Sequence, residues 1–317
     1  MPELSVILPT RNPSPDRLRS TLKGLAAQTL RHDRWELLLV DNASEQAWEP
    51  PTDLAAALPG FRRINEPEIG LTPARLRGIA ETRGDLLVFV DDDNVLAPSY
   101  LTAVAQRFEE YPRLGAAGGP VIPKFEATPP AWTLEFWALL ALHEHGDRPL
   151  IQAGGPGTAW PAFAPVGAGL CVRRSAVTPY LEALQRDPSR RHLDRRGVAL
   201  SSGGDNDLVF TMLHAGSDVG YFPELRLTHL IPPGRLTADY LARLNEGIQR
   251  TWVRVLALHD QCPWPVIPRW TVPLRVARVW WRDRAWTSPS AQVRWRGHVG
   301  RFYGQADLPT EPVRIHA

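Results

Sequence analysis

The first hundred residues of the chain alternate apolar runs of strand length with segments of helical periodicity. The strand-like runs are residues 4–8, 36–40 and 85–90. The first helical segments begin at Ser14-Pro15 and Thr72-Pro73, and a serine or threonine followed by proline is typical of a helix N-terminus. Strands alternating with helices are typical of βαβ units, so we predict an α/β fold with a Rossmann-like mixed, mostly parallel sheet flanked by helices.

The pattern beyond the first strands predicts a second group of elements. We expect Gly84 to close the helix that begins at Thr72, and the segment 187–204, which contains two clusters of arginines, to form a mobile basic loop. The further strands are predicted at 61–65, 115–123, 165–173 and 219–229, and the further helices at 98–111, 132–145, 205–215 and 237–259. The tail from Pro263 has six of the twelve tryptophans and no clean period.

Charge is distributed unevenly along the chain. The formal net charge is only +2, which excludes a strongly basic nucleic-acid coat. Residues 235–317 contain 13 Arg and 6 acidic residues, a net of +7, so residues 1–234 carry −5. The two parts can therefore face different partners.

Cysteine content and apolar run length indicate the compartment. The two cysteines are too few for a disulfide framework or a Cys-rich zinc site, and a reducing compartment fits. The sequence has neither an export signal nor an apolar run of about 18 residues. We therefore expect a cytoplasmic protein.

Three consecutive carboxylates, Asp91-Asp92-Asp93, follow the apolar run 85–90. Their mutual repulsion is unfavourable unless positive charge lies nearby. Open α/β sheets bind ligands at the carboxyl ends of their strands, and hard oxygen ligands suit Mg²⁺ or Mn²⁺. The triplet therefore predicts a divalent cation site, with a solvated acidic turn as the alternative.

Polar groups also follow the first two strands. Asp41 ends the second strand, and Pro9, Thr10 and Arg11 follow the first. Taken alone, Asp41 is at least as typical of an Asx turn. However, three neighbouring strands that deliver polar groups to one edge are what a nucleotide pocket requires.

Five segments, in this order, resemble the nucleotide-sugar enzymes of family 2 of the glycosyltransferases, which have the GT-A fold. The segments are 5–12 (SVILPTRN), 40–44 (VDNAS), 70–79 (GLTPARLRGI), 89–93 (FVDDD) and 202–208 (SGGDNDL), with Thr228-His229 following. The resemblance covers about residues 3–235. It implies a GT-A catalytic domain at 1–234, with a nucleotide-sugar-binding half at 1–120 and an acceptor-binding half at 121–234. The remaining residues, 235–317, would form a helical or irregular extension rich in Trp and Arg.

The resemblance implies a role for each matching residue. Asp41 would contact the nucleotide base, Arg75 the nucleotide or diphosphate, and Asp91 the ribose. Pro9, Thr10, Arg11 and Asp92 would also contribute to the donor site. The metal ligands would be Asp92, Asp93 and His229, holding Mn²⁺ or Mg²⁺.

The implied reaction transfers a sugar from a nucleotide-diphosphate donor to an acceptor hydroxyl. A carboxylate that takes the proton of the hydroxyl typically contributes 10² to 10⁴-fold, and one base opposite the leaving group implies inversion. The resemblance gives Asp205 that role, although its local sequence suits a helix cap equally well. A lone His at a strand end, such as His229, is usually structural.

Several glycines are candidates on the acceptor side. Gly167 and Gly169 would let a sugar approach the backbone closely, with a strand bulge as the alternative. Gly204 occupies a position where the family often has Glu, and Leu76 one where it often has Asn.

Two other functions remain as alternatives. A nucleotidyltransferase of related architecture would more naturally have a Gly-rich phosphate loop with a Lys after the first strand. A catalytically silent binding module would act through its tail.

The remaining candidates are less specific. The arginines of 190–196 could form a lid over the diphosphate or could simply be solvated. We reject His143 and His145 as metal ligands, because residues two apart on a helix do not face each other. The Trp and Arg side chains of the tail suit packing on the catalytic domain, peripheral contact with the inner face of a membrane, or, least, nucleic acid.

Overall fold

The computed structural model describes residues 2–46, 48–197 and 200–309. Within them the chain forms a large mixed sheet, a small second sheet and helices that flank both. The large sheet has the strand order β3-β2-β1-β4-β9-β6-β10-β8. Its strands are β1 (Leu4–Thr10), β2 (Trp35–Asp41), β3 (Arg62–Asn65), β4 (Leu86–Phe89), β6 (Leu114–Gly118), β8 (Leu150–Gln152), β9 (Cys171–Arg173) and β10 (Asp218–Tyr221).

The strands at the β3 side of this sheet are all parallel. Strand β1 pairs in parallel with β2 and β4, and β2 pairs in parallel with β3. Strand β9 is antiparallel to both β4 and β6, and β8 is antiparallel to β10, so the sheet is mixed. The predicted α/β fold is confirmed.

A smaller sheet lies beside the first, with the order β5-β11-β7. Its strands are β5 (Asn94–Leu96), β7 (Val121–Phe125) and β11 (Leu227–Ile231). Because β5 begins directly after the acidic triplet and pairs with β11 through Asn94 and His229, this sheet brings the late histidine to the triplet.

The helices bury apolar faces against the sheets. In α1 these are Leu18, Leu22 and Leu25, and in the long helix α7 the side chain of Thr237 caps the N-terminus by accepting from the N–H of Tyr240 at 3.3 Å. The α-helices are α1 (Pro15–Ala26), α2 (Thr52–Ala56), α3 (Leu71–Glu81), α4 (Tyr100–Glu110), α5 (Thr178–Arg186), α6 (Gly204–His214), α7 (Ala238–Leu258), α8 (Val272–Arg282) and α9 (Pro289–Ala306).

The tail from Pro263, for which the sequence shows no clean period, contains the two helices α8 and α9. Helix α9 packs against α7 through Gly297, Gly300 and Gly304. A Cβ at Gly300 would overlap the backbone carbonyl of Glu246, and one at Gly304 would lie 2.9 Å from the carbonyl oxygen of Arg250. The helices therefore approach more closely than larger side chains would permit. Residues 310–317, the end of the predicted extension, lie outside the described part of the chain.

The predicted end of α3 is wrong. The helix ends at Glu81 and Thr82 is extended, so Gly84 is not its terminating residue. Gly84 instead lies against the first strand, where an added Cβ would be 2.6 Å from both the carbonyl carbon of Leu4 and the backbone nitrogen of Ser5. The glycine is required by close backbone approach.

Two predicted strands are shorter than expected. The strand at 165–173 is reduced to Cys171–Arg173, because the preceding glycines form a turn, and the one at 219–229 is divided in two by a turn that contains Pro223. Because proline cannot donate to a ladder, a break at that position is expected.

The predicted helix at 132–145 is also wrong. A 3₁₀ helix spans Ala131–Leu140 and ends at Ala141, which is left-handed at φ 59°. His143 then forms an isolated bridge with Val121, so the helical argument against pairing His143 with His145 does not hold. Their ring centroids are 5.1 Å apart, and both rings pack on Tyr221.

No helix in the described ranges combines the length and the apolar character needed to cross a bilayer.

Candidate active site

The carboxyl ends of the parallel strands open onto one cavity of about 440 Å³. Its walls include Pro9 and Thr10 at the end of β1 with Arg11 after it, Asn42 after β2 and the triplet Asp91-Asp92-Asp93 after β4. Asp205, at the start of α6, and His229, on β11, line the same cavity. Arg75 and Gly167 also border it, so the structure brings together most of the residues that the sequence singles out.

The acidic triplet is buried and internally repulsive. Burial, together with the neighbouring charge of Asp93, raises the pKa of Asp92 to about 7, although the Thr10 hydroxyl donates to its Oδ2. Burial also raises the pKa of Asp91, with a further contribution from Asp93 and an opposing one from Arg75. The triplet is therefore a site that gains from added positive charge.

Asp93 differs from its two neighbours because cationic and hydrogen-bonding partners face it. Burial alone would raise its pKa, but contacts with His229 and with Arg235 outweigh that effect and hold the pKa well below its usual range. Arg235 Nη2 lies 2.9 Å from Asp93 Oδ2. Asp93 is therefore the anionic anchor of the triplet.

His229 presents one nitrogen to this carboxylate. Its Nδ1 lies 3.1 Å from the carbonyl oxygen of Leu140, and its Nε2 faces the cavity. That Nε2 lies 3.0 Å from Arg235 Nη1 and 3.5 Å from Asp93 Oδ2. The guanidinium of Arg235 is thus shared between the two groups that the resemblance assigns to a metal.

Asp93 and His229 are candidate ligands of a divalent cation. Among the described residues, no three His, Cys, Asp or Glu side chains are arranged as a ready metal site. Asp93 Oδ2 and His229 Nε2 nevertheless converge, and a backbone carbonyl lies against the other ring nitrogen, as it does in metal-ligating histidines. A carboxylate and an imidazole are donors that suit Mn²⁺ or Mg²⁺, and Arg235 occupies the position between them.

A second group of charges surrounds Asp205. Its Oδ2 accepts from the N–H of Gly167 at 2.6 Å and its Oδ1 from the N–H of Asn206 at 2.9 Å. Burial, and then the charge of Asp194, raise the pKa of Asp205, while Arg75 opposes the rise. Asp205 is the second residue of α6, so the N-cap position belongs to Gly203, and the Oδ1 of Asp205 accepts from one of the first N–H groups of the helix.

Arg75 is buried beside this carboxylate. Its Nη1 lies 3.2 Å from Asp194 Oδ2, and its guanidinium lies over the ring of Phe89 at 5.6 Å. Within the described part of the chain its Nε has no hydrogen-bond partner, although the side chain borders the cavity. A buried arginine at a cavity wall is suited to an anionic ligand.

Asp41, in contrast, is not part of the cavity wall. Its Oδ2 accepts from Arg63 Nη2 at 2.7 Å and its Oδ1 from the N–H of Ser44 at 3.0 Å, an Asx-type turn. Burial alone would raise its pKa, but these bonds lower it. The neighbouring Asn42 reaches the cavity instead.

Two of the three candidate glycines also lie outside the cavity wall. Gly169, at φ +73°, accepts from Tyr100 at 2.5 Å, and an added Cβ would be 2.7 Å from that hydroxyl. Gly204 lies against Asp194. Gly167 alone of the three borders the cavity.

Known proteins that are similar to this chain indicate its family. The model of the family described as Glycosyl transferase family 2 matches residues 5–175. The chain belongs to glycosyl transferase family 2. The resemblance drawn from the sequence motifs is thereby confirmed.

Two bacterial proteins are similar to this chain. An N-acetylglucosaminyltransferase of Sinorhizobium fredii is 28% identical over 246 residues, which cover 73% of this chain and 53% of that protein. The succinoglycan biosynthesis protein ExoM of Rhizobium meliloti is 25% identical over 247 residues, covering 76% and 71% respectively. The chain spans about half the length of the Sinorhizobium relative.

A similar solved structure is that of S. aureus TarS residues 1–349, with a TM-score of 0.49 and 12% identity, covering 96% of this chain and 90% of that one.

The site of this family 2 glycosyltransferase includes residues that sequence reasoning missed. Arg235 and Asp194 are the principal ones, and α7 adds an apolar wall through Tyr240, Leu244 and Ile248. Segments after residue 234 therefore contribute to the cavity. A cation six residues after His229 was the available sequence signal for Arg235; Asp194 was hidden within a run of arginines.

The segment 187–204 is not the mobile solvated loop that the sequence predicts, as far as it is described; residues 198 and 199 are outside the described part. Arg190 pairs with the buried Asp207 at 3.0 Å, and Asp194 is buried. Asp207 also accepts from His259 Nε2 at 2.8 Å, so it joins α6 to α7 and does not cap α6. A lid formed by the arginines of 190–196 stays a prediction.

Proposed function

We propose that this family 2 glycosyltransferase moves a sugar from a nucleoside-diphosphate donor to an acceptor hydroxyl in a single displacement with inversion. One observation carries the proposal: the acidic triplet, His229, Arg75 and Asp205 border one cavity at the carboxyl edge of the sheet. Residues 1–120 would form the nucleotide-sugar half and residues 121–234 the acceptor half. The segment from 235 onward would complete the cavity wall through Arg235 and α7.

The donor would lie along the strand ends. Pro9, Thr10 and Arg11 would border it, and the guanidinium of Arg75 would pair with the diphosphate. Asp91 and Asp92 would contact the nucleoside side of the donor. Asp41 would act near the base, through the turn that places Asn42 at the cavity.

Asp205 would act as the general base. Its carboxylate takes the proton of the acceptor hydroxyl as the new C–O bond forms, and the anomeric C–O bond to the diphosphate breaks with its electron pair leaving on the phosphate oxygen. Burial and Asp194 raise the pKa of Asp205, which makes its carboxylate a stronger base. The N–H of Gly167 holds Oδ2 in place.

A divalent cation, Mn²⁺ or Mg²⁺, would be held by Asp92, Asp93 and His229. When bound, it would neutralise charge on the leaving diphosphate. Arg235 would leave the carboxylate of Asp93 to make room, and its guanidinium would remain close enough to contribute positive charge to the same region.

N-acetylglucosamine is the first donor sugar to test, because the Sinorhizobium relative is named for that activity. The assay measures release of nucleoside diphosphate from a panel of nucleotide sugars, with and without Mn²⁺ or Mg²⁺. Asp205→Asn is expected to lower turnover 10² to 10⁴-fold. Asp16→Asn, a substitution at an exposed carboxylate on α1, is the matched control.

Two results would contradict this proposal. One is turnover that is independent of metal. The other is full activity in Asp205→Asn while the variant still melts at the temperature of the wild-type protein.

We also propose that the extension makes peripheral contact with an anionic membrane surface, through the outward face of α8 and the segments beside it. Trp270, Leu274, Trp281 and Trp286 are exposed by 76, 69, 68 and 51%. Helix α8 buries Val272 and Val279 on its opposite side. An exposed apolar stripe with tryptophans is typical of helices that lie in the plane of a membrane surface.

Charge complementarity favours a lipid surface as the occupant. Residues 261–306 contain eight Arg and one acidic residue. In the described chain, no acidic side chain pairs with Arg275, Arg278 or Arg284, and each basic group near an anionic surface contributes about 1 kcal/mol. Other tail tryptophans do pack: Trp295 Nε1 donates to the carbonyl of Val276 at 3.2 Å.

Co-sedimentation with vesicles tests this contact. The wild-type chain is expected to pellet with phosphatidylcholine vesicles that contain 30% phosphatidylserine (roughly the anionic content that supports such binding) and to remain in solution with pure phosphatidylcholine. Leu274→Gln with Trp281→Gln should abolish pelleting. Leu134→Gln, at an exposed leucine on the 3₁₀ helix, is the control.

Equal pelleting of the double variant and the wild type would overturn the proposal. So would sedimentation velocity that shows the face buried in a stable dimer.

A further inference from the structure

The carboxylate of Asp194 is buried in a setting that its sequence does not predict. It lies between two arginine pairs, yet its side chain is only 3% exposed. Asp194 Oδ2 accepts from Thr72 Oγ1 and Arg75 Nη1, each at 3.2 Å, and both donors belong to α3. These two contacts of Oδ2 hold the side chain of Arg75 at the cavity wall.

The other oxygen of Asp194 holds the start of α6. Oδ1 accepts from the N–H of Gly203 at 3.4 Å and from the N–H of Gly204 at 3.2 Å. A carboxylate at these N–H groups compensates for unpaired donors and for the positive end of the helix dipole. Asp194 therefore caps the helix from outside it and fixes the residue that follows, Asp205.

Gly204 leaves the space that Asp194 fills. A Cβ at residue 204 would overlap Asp194 Oδ2, and it would lie 2.7 Å from Asp194 Cγ and 2.9 Å from Thr72 Oγ1. The volume that a side chain at 204 would enter is thus occupied by a carboxylate from a different segment.

We propose that Asp194 is a positioning residue of this active site, supplying from the 193–197 segment the carboxylate that Gly204 lacks and thereby orienting Arg75 and Asp205 toward the cavity. The proposal rests on the proposed role of Asp205 for its effect on turnover. Its geometric part, the exchange of a carboxylate between residues 194 and 204, is independent of that role.

A charge effect accompanies the geometric one. Asp205 is faced by Arg75 from α3 and by Asp194 from the 193–197 segment, and Arg75 in turn faces Asp91 from the triplet. Negative charge at 194 keeps the proton affinity of Asp205 high. Replacement of that charge by an amide should make Asp205 a weaker base.

The test exchanges the carboxylate between the two positions. Asp194→Ala is expected to lower kcat at least 30-fold, because Arg75 and the start of α6 lose their shared acceptor. Gly204→Asp alone should also be impaired, because two carboxylates then compete for one space. The double variant, Asp194→Ala with Gly204→Asp, should recover at least tenfold over the poorer single variant.

Two further variants separate positioning from folding. Asp194→Asn preserves the shape of the side chain and should move the acidic limb of the kcat profile to lower pH, a change that a purely structural residue would not produce. Arg186→Ala, at an exposed arginine of α5 that pairs with Glu182, is the matched control. Thermal melting of every variant establishes that each one folds.

Two outcomes would overturn the positioning role. One is a double variant no more active than its poorer parent, and the other is wild-type kcat and pH profile in Asp194→Asn. Full activity in Asp205→Asn would refute the proposed base instead. In that case, recovery of nucleoside diphosphate binding by the double variant, measured by calorimetry, would still support the exchange.

Discussion

Gly167 is the point at which one added methyl group should disturb both charged groups of the proposed catalytic centre. A Cβ at this position would lie 2.5 Å from Arg75 Nη2 and 2.8 Å from Asp205 Oδ2. The backbone of Gly167 lies outside the left-handed region, so alanine introduces no conformational strain. The effect of Gly167→Ala should therefore come from contact alone.

The magnitude follows from what each neighbour must give up. Asp205 can retreat only by losing the 2.6 Å hydrogen bond from the N–H of Gly167, and Arg75 only by loosening its 3.2 Å contact with Asp194. A hydrogen bond to a charged group contributes roughly 1.5–3 kcal/mol. If that loss appears in the transition state, kcat/KM falls about 10- to 150-fold.

The assay measures kcat/KM with the best donor of the panel, together with thermal melting. Gly155→Ala is the matched control, because the nearest heavy atom to its added Cβ is Thr158 Oγ1 at 3.8 Å, an ordinary contact. A Gly167→Ala variant with kcat/KM within twofold of Gly155→Ala would refute the reasoning. It would mean that Asp205 and Arg75 are not held where activity requires them.

Three further predictions concern acid stability, metal binding and thiol reactivity. Burial, and then the neighbouring His145, lower the pKa of His143 from 6.5 to about 4. The unfolded chain therefore binds the proton more tightly, and the free energy of unfolding falls as the pH drops from 6.5 to 4, by up to about 3 kcal/mol. In urea unfolding, His143→Phe should lose less stability over this range than the wild type, and an equal loss would contradict this origin. Arg235→Ala should bind Mn²⁺ alone at least tenfold more tightly than the wild type, because no guanidinium then competes for Asp93. A Mn²⁺ titration followed by electron paramagnetic resonance measures this, and unchanged affinity would refute the competition. Burial raises the pKa of Cys171 to about 12, so iodoacetamide at pH 8 should label only Cys262 in the native protein, and labelled Cys171 would show that its site opens.

The local pattern of the sequence was sufficient to predict elements whose residues determine their own conformation. Strand β1 and helix α1 form where the apolar run and the Ser14-Pro15 pair place them. The acidic triplet lies at the expected edge of the sheet, because parallel strands of a βαβ unit present their carboxyl ends together. These features depend on residues close in sequence or on a general rule of topology.

Elements that depend on distant backbone were not predictable in this way. Gly84 looks like a helix end, yet it is a glycine because β1 passes against it. The apolar segment after Pro130 has helical composition, yet it forms a 3₁₀ helix, in which Phe136 and Leu140 are buried and residues 138–141 border the cavity. Intrinsic helix propensity predicts neither outcome, because both depend on contacts with distant parts of the chain.

The sequence by itself determined the family, the sheet and the set of carboxylates at its edge, because these follow from apolar periodicity and from motifs that keep their order along the chain. Only the tertiary structure decided which charges meet. Asp194 comes to Arg75 from 119 residues away, and Arg235 reaches Asp93 because β5 and β11 pair in the second sheet. A buried charge is stable only with a partner of opposite sign or with hydrogen-bond donors, and the identity of that partner is fixed by the packing of whole elements.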